Sequence, residues 1–196
     1  NNLKQFITIE GIDILKKIKS ENKPVIFISG HFNNFELMAM IIEKNGINLS
    51  AIYRPLNNIF LNKVMERIRK NYICKNQIKK GLSGSREMLK AFNSGSSVAI
   101  MIDQRVSEGR KIPFFNKIAL TTTIPAQLVK RFNCKIIPVH IERYKNYYFK
   151  ATFSNPLEFS DTSNLDDITL QLNSWLEKMI LKNPTQWIWT HKRWKL

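Results

Sequence analysis

Cys74 and Cys134 are the only two cysteines of the chain. That excludes a disulfide framework and leaves too few thiols for a cysteine-built zinc site. No stretch approaches the roughly 18 unbroken apolar residues of a transmembrane helix, and residues 1–20 are not expected to act as a signal peptide. Glycine and proline number seven each in 196 residues, so neither a collagen-like repeat nor a low-complexity linker divides it. Acidic residues are scarce. Fifteen Asp and Glu face 31 Lys and Arg, a formal net charge of +16. A surplus of that size points to an anionic partner (nucleic acid, an anionic bilayer surface, a phosphorylated substrate or an acidic protein), with solubility or a lineage that favours Lys, Asn and Ile as the plainer reading of part of it.

What is present is a substantial apolar fraction, 43%, enough for a real core at this length. Residues 25–29 (VIFIS) and 97–102 (SVAIMI) are continuous apolar runs, the signature of strands buried on both faces. Residues 6–9 and 49–53 read as further strands, 72–74 as a weak one, and 135–142 with 147–153 as an antiparallel pair across Lys145-Asn146. Apolar residues at helical spacing predict helices over 12–20, 35–44, from Asn57 or Asn58 to about 70, over 81–92, 124–132 and 165–182. Residues 103–120 read as a long loop carrying the apolar insert Pro113-Phe114-Phe115. Strand–helix alternation with short connections predicts an α/β fold, a mixed, mostly parallel central sheet with helices on both faces, in one domain over 1–196.

In open α/β sheets, sites lie at the carboxyl ends of strands. Two segments stand there: Gly30-His31-Phe32-Asn33-Asn34-Phe35-Glu36 after one buried run, and Asp103-Gln104-Arg105 after the other. His31 and Glu36 would not face each other on one regular helix, where five residues rotate the chain by about 140°. They can meet if His31 sits in the loop and Glu36 in the first helical turn, with Gly30 supplying backbone freedom. A carboxylate on one imidazole nitrogen fixes the tautomer and leaves the other as a general base. Such a His31–Glu36 dyad, with no nucleophile of its own, suits activation of a substrate hydroxyl.

Gly30-His31-x4-Glu36 is similar to the H-x4-D/E motif of the glycerolipid acyltransferase superfamily. More closely, the chain resembles the bacterial lipid A biosynthesis acyltransferases of the late lauroyl/myristoyl type. The resemblance runs through Tyr53-Arg54-Pro55 with Asn57 or Asn58, Arg69, the Gly81-to-Gly95 helix and Asp103-Gln104. It continues through Pro113-Phe114-Phe115, Ala119 to Thr123 and the tail Pro184-x-Gln186-x-x-Trp189-x-His191-x-Arg193. At one position the family commonly has Gly and this chain has Asn116.

The resemblance implies a glycerol-phosphate-acyltransferase-like fold and acyl transfer from an acyl-carrier-protein thioester to a hydroxyl of a phosphorylated lipid A precursor. The setting it implies is the cytoplasmic face of the bacterial inner membrane. It assigns catalysis to His31, Glu36, Arg69 and Asp103, and substrate contact to Arg54, Asn57 and Gln104. Arg69 would bind either the oxyanion or a substrate phosphate. No metal or organic cofactor is implied. Family members usually carry a further N-terminal stretch with a membrane-anchoring helix, expected here to precede Asn1. An acyl chain needs apolar cover, so an apolar groove rimmed by Lys and Arg is expected beside His31, with an anionic membrane surface as partner.

Several features have plainer readings. Cys74 and Cys134 read as buried, reduced thiols, and His140 as a satisfied strand histidine. His191 is either structural or a substrate contact. Trp187, Trp189 and Trp194 suit either a membrane interface or packing of the tail on the core. The charge admits a basic nucleic-acid-binding domain as an alternative class. However, the chain has no zinc-finger spacing, no RNP-like aromatic signature and no basic recognition helix, so no nucleic acid is expected as partner. Acylation of another membrane glycolipid or aminolipid would use the same motifs.

Overall fold

The computed structural model describes residues 5–195. Its centre is a seven-stranded sheet. The strands are β1 (Ile7–Glu10), β2 (Ile26–Ser29), β3 (Leu49–Tyr53), β4 (Asn76–Lys79), β5 (Ser97–Met101), β8 (Ile136–Tyr144) and β9 (Tyr148–Phe153), in the spatial order β1-β9-β8-β2-β5-β3-β4. The β8–β9 pair is antiparallel, and the other pairings of this sheet are parallel. β6 (Arg110–Phe114) and β7 (Lys117–Thr121) form a separate hairpin.

Alternation along the central strands sends side chains to two cores. Phe27 joins Leu15 and Ile18 of helix α1 (Ile12–Glu21) and Met38 and Ile42 of α2 (Glu36–Lys44). Its neighbours Ile26 and Ile28 point the other way, into the core of α4 (Leu82–Asn93), α5 (Ile124–Phe132) and α6 (Leu165–Lys182). Helices therefore cover both faces, as the two-sided apolar runs require. At the start of α6, Asn164 caps Asp166 and Asp167 while the Asp167 carboxylate accepts from the Asn164 N–H, a capping box. Among the described residues no helix is long and apolar enough to cross a membrane.

Three expectations are corrected. In place of the weak strand at 72–74, Tyr72 and Ile73 belong to a π-helical turn, Arg69–Ile73, that ends helix α3 (Ile59–Ile68), and Cys74 leaves it in extended conformation; the edge strand β4 follows. The expected loop 103–120 contains the β6–β7 hairpin, whose β6 strand buries just Ile112 and Phe114, too sparse an apolar pattern to stand out. The turn of that hairpin places both Phe115 (φ 50°) and Asn116 (φ 58°) in the left-handed region. Asn tolerates that conformation best after Gly, so Asn116 serves where the family commonly has Gly. Finally, Gly30 does not adopt a positive φ. Its smallness is what the fold uses, because a Cβ there would lie 2.8 Å from Leu176 Cδ1 and 2.9 Å from Phe32 Cε2.

Candidate active site

β2 and β5 are neighbours with Ser29 opposite Met101. Two residues beyond each partner stand His31 and Asp103, so the strand register delivers them to the same point across 72 positions of sequence. Asp103 is buried and holds His31 twice. Its Oδ1 lies 2.7 Å from the ring Nδ1, and its Oδ2 accepts the His31 backbone N–H at 2.7 Å. The Trp187 indole N–H donates to the same Oδ2 at 2.9 Å. Burial alone would raise the Asp103 carboxyl. The bond and charge of His31, its backbone N–H and the Trp187 indole outweigh that and hold it below the ordinary carboxylate range. With Nδ1 engaged, Nε2 is the remaining ring nitrogen, and the Gln104 amide nitrogen stands 3.4 Å from it.

Glu36 opens α2, as expected, but it does not orient His31. Its Oε1 accepts from Arg69 Nε at 2.8 Å and lies 2.7 Å from a terminal guanidinium nitrogen of the same residue. The ring of Phe35 packs on the imidazole instead, 4.6 Å between centroids. The correction has a simple cause. Asp103 reaches Nδ1 through strand pairing, while the π-helical turn brings Arg69 over the start of α2. Arg69 also lies over the Tyr53 ring, 5.6 Å from its centroid. Its Nη1 is buried and, among the described residues, has no hydrogen-bond partner.

These groups line a cleft of about 320 Å3. Its walls include His31, Glu36, Arg54, Arg69, Gln104 and His191, with apolar surface from Phe35, Met38, Ile52, Ile73, Ile100 and Met101. A second depression shares Arg54, Lys80 and His191 with it and continues past Arg105, Lys192 and Lys195. Asn57 does not join them. It stands exposed in the turn before α3, and its neighbour Asn58 caps that helix through Phe60 and Leu61 N–H groups. Among the described residues no group of three His, Cys, Asp or Glu side chains is arranged to hold a metal ion.

The tail is part of the site's framework. The Gln186 carbonyl accepts from the Asn33 N–H at 3.0 Å, the His31 carbonyl accepts from the Ile188 N–H at 3.1 Å, and Phe32 bridges to Trp187. Arg193 is wholly buried, donating to the Leu120 carbonyl at 2.9 Å and Thr121 Oγ1 at 2.7 Å beneath the Phe114 ring. Packing on the core therefore describes Trp187, Arg193 and Trp194, whose indole N–H reaches the Phe114 carbonyl. Trp189 stays exposed. Trp187 is the site residue that sequence reasoning missed as a partner of Asp103. Its position in the tail beside Gln186 was the available signal, but nothing local ties it to a loop more than 80 residues away.

His191 lines the cleft, and partial burial holds its imidazole below the ordinary range. The two thiols stand off from the chemistry. Burial pushes both Cys74 and Cys134 up to about 12, and neither lines the cleft.

A family model described as bacterial lipid A biosynthesis acyltransferase matches residues 1–196. The lipid A biosynthesis palmitoleoyltransferase of Escherichia coli (strain K12) is 26% identical over 202 residues, covering all of this chain and 63% of the relative. A lipid A biosynthesis acyltransferase of Haemophilus influenzae is 29% identical over 205 residues, again covering all of this chain and 62% of the relative. The chain thus spans less than two thirds of the length of these curated relatives. The solved structure of the 1-acyl-sn-glycerophosphate acyltransferase PlsC from Thermotoga maritima aligns with 93% of this chain and 73% of its own, at a TM-score of 0.53 and 13% identity. That last likeness is one of fold. With the whole-length family match and the relatives in agreement, the chain belongs to the bacterial lipid A biosynthesis acyltransferase family.

Proposed function

We propose that the protein transfers a fatty acyl chain from an acyl-carrier-protein thioester to a hydroxyl of a phosphorylated lipid A precursor, with His31 and Asp103 as the dyad. The observation that carries this reading is the doubly held His31, its second ring nitrogen met by just the Gln104 amide at 3.4 Å, on the wall of a cleft that is part apolar and part basic. His31 Nε2 takes the proton of the acceptor hydroxyl as its oxygen bonds to the thioester carbonyl carbon. The oxyanion that forms needs a donor, and the Arg69 guanidinium, on the wall of the same cleft as His31, supplies one. Collapse expels the carrier thiolate, which recovers the proton from the imidazolium. Glu36 acts through Arg69 rather than through His31. Arg54, with Lys80 and His191 in the adjoining basic depression, receives the phosphates of the acceptor, and the chain's +16 charge also favours an acidic carrier protein.

The test is mass spectrometry of the purified protein incubated with acyl-carrier-protein thioesters and a tetraacyl lipid A precursor. An acceptor heavier by one acyl group is expected, formed about 10²–10⁴-fold more slowly with His31→Ala. Thioester consumption without any acylated lipid would overturn the assignment.

A further inference from the structure

Helix α3 is built inside out. No side chain of α3 is buried. Phe60 is 82% exposed, and Leu61, Val64 and Ile68 are exposed with it. At about 100° per residue, these four share one arc of about 100°. Lys63 and Arg67, both exposed, lie along one edge of that arc, beside Phe60. Asn62 and Glu66 point the other way. Glu66 accepts from Tyr53 and from Asn62 Nδ2, and lies 3.6 Å from Lys79 Nζ. Asn62 in turn accepts from the Leu56 N–H. A surface helix normally turns its apolar stripe to the core and its charges to water, and a stripe turned outward marks a contact surface.

We propose that the outward face of α3 is the surface by which the protein seats on an anionic lipid bilayer, beside the mouth of the cleft. The proposal deepens and rests on the reading of the protein as a lipid acyltransferase, since a lipid acceptor must reach His31 from a bilayer. Charge selects the occupant. The outward face of α3 carries Lys63 and Arg67, Lys70 follows in the next turn, and the one acid of the helix, Glu66, is turned inward. An apolar stripe with cations along one edge matches an interface with anionic headgroups over hydrocarbon. A second copy of a +16 chain would set the same cations against each other. Position agrees as well. Tyr53 and Arg54 precede α3, Arg69 and Ile73 follow it, and all four line the cleft. Seating α3 in the headgroup layer therefore places the cleft at the lipid surface.

The experiment is vesicle flotation of the wild type, Phe60→Ser/Val64→Ser, Lys63→Glu/Arg67→Glu and His31→Ala. Vesicles are phosphatidylcholine alone or phosphatidylcholine with phosphatidylglycerol. The wild type is expected to partition to the anionic vesicles at least about tenfold better than to neutral ones, and to lose that margin as salt rises. Each α3 double variant is expected to lose about tenfold or more on anionic vesicles while retaining the wild-type circular dichroism. His31→Ala is expected to float like the wild type, so a failed acyltransferase assignment leaves this measurement unmoved. Wild-type flotation by Phe60→Ser/Val64→Ser, or equal partitioning to neutral and anionic vesicles, overturns the proposal. So does vesicle-free self-association, by analytical ultracentrifugation, that the same double variant abolishes, since a second copy would then be the occupant.

Discussion

Asp103 grips His31 by both its ring and its backbone, at 2.7 Å each. One carboxylate thus fixes the imidazole tautomer and the path of the loop that carries it. His31→Ala removes the base and keeps the backbone grip. It is expected to lower acyl transfer by about 10²–10⁴-fold, with a smaller stability loss than Asp103→Ala because it strands a single acceptor, the buried Asp103 Oδ1. Asp103→Ala should do both kinds of damage. It frees the imidazole and strands the His31 and Trp187 N–H donors, at about 1–3 kcal/mol for each that stays buried. Thermal unfolding beside the transfer assay separates the two. A stable, fully active Asp103→Ala protein would remove Asp103 from the dyad.

Glu36 and Arg69 form the second pair, and a double-mutant cycle reads it. Arg69→Ala is expected to cost about 10²–10³-fold, as loss of an oxyanion donor does. Glu36→Ala should cost less, and the double variant little more than Arg69→Ala alone, because Glu36 acts by holding the guanidinium. The transfer rates of the four proteins are the measurement. If Glu36→Ala is instead non-additive with His31→Ala and multiplies with Arg69→Ala, Glu36 belongs with the imidazole after all.

This exchange of partners marks what could be read without coordinates. β2 and β5 were visible because a strand buried on both faces is an unbroken apolar run, and the loops after them followed as candidate sites. His31, Glu36, Arg69, Arg54, Gln104 and Asp103 do converge at the cleft or directly behind it. Which carboxylate meets the imidazole was not legible, because it depends on the pairing of Ser29 with Met101, a register that no local pattern encodes. Nearness in sequence favoured Glu36, and geometry favoured Asp103. The inverted α3 was hidden for a related reason. Its apolar spacing announces a helix equally well whether the stripe faces the core or the outside.

The tail predicts a stability effect far from the reacting atoms. Arg193 is wholly enclosed, and burial pushes its guanidinium down to about 10. It ties the last turn of the chain to β7 through Leu120 and Thr121. Arg193→Ala removes those bonds and leaves a large void, so a loss of about 2–4 kcal/mol is expected in urea denaturation. Trp187→Phe keeps most of the volume and removes just the indole N–H to Asp103. It should cost about 1 kcal/mol. A larger loss from Trp187→Phe than from Arg193→Ala would contradict this ranking.

His140 carries a prediction in pH. It is buried in β8 against the Phe32 ring, 4.8 Å between centroids. Burial presses its imidazole down to about 4, against the opposing pull of Glu142, with Lys182 and Lys150 adding to the depression. The folded protein therefore keeps His140 neutral in a range where the unfolded chain, with an ordinary value of 6.5, has already taken up a proton. Proton uptake by the unfolded state alone makes stability fall with falling pH. The contribution is intact above about pH 6.5 and drains away as pH drops toward 4. At 1.36 kcal/mol per unit, the loss between about pH 7.5 and pH 5 approaches 2 kcal/mol, less whatever Glu142 restores. Carboxylates elsewhere also titrate near the acid end, so the informative quantity is a difference. Urea midpoints of the wild type and His140→Gln, taken at both pH values, should show the wild type losing more. Parallel losses in the two proteins would show that His140 is already free to take its proton in the folded state.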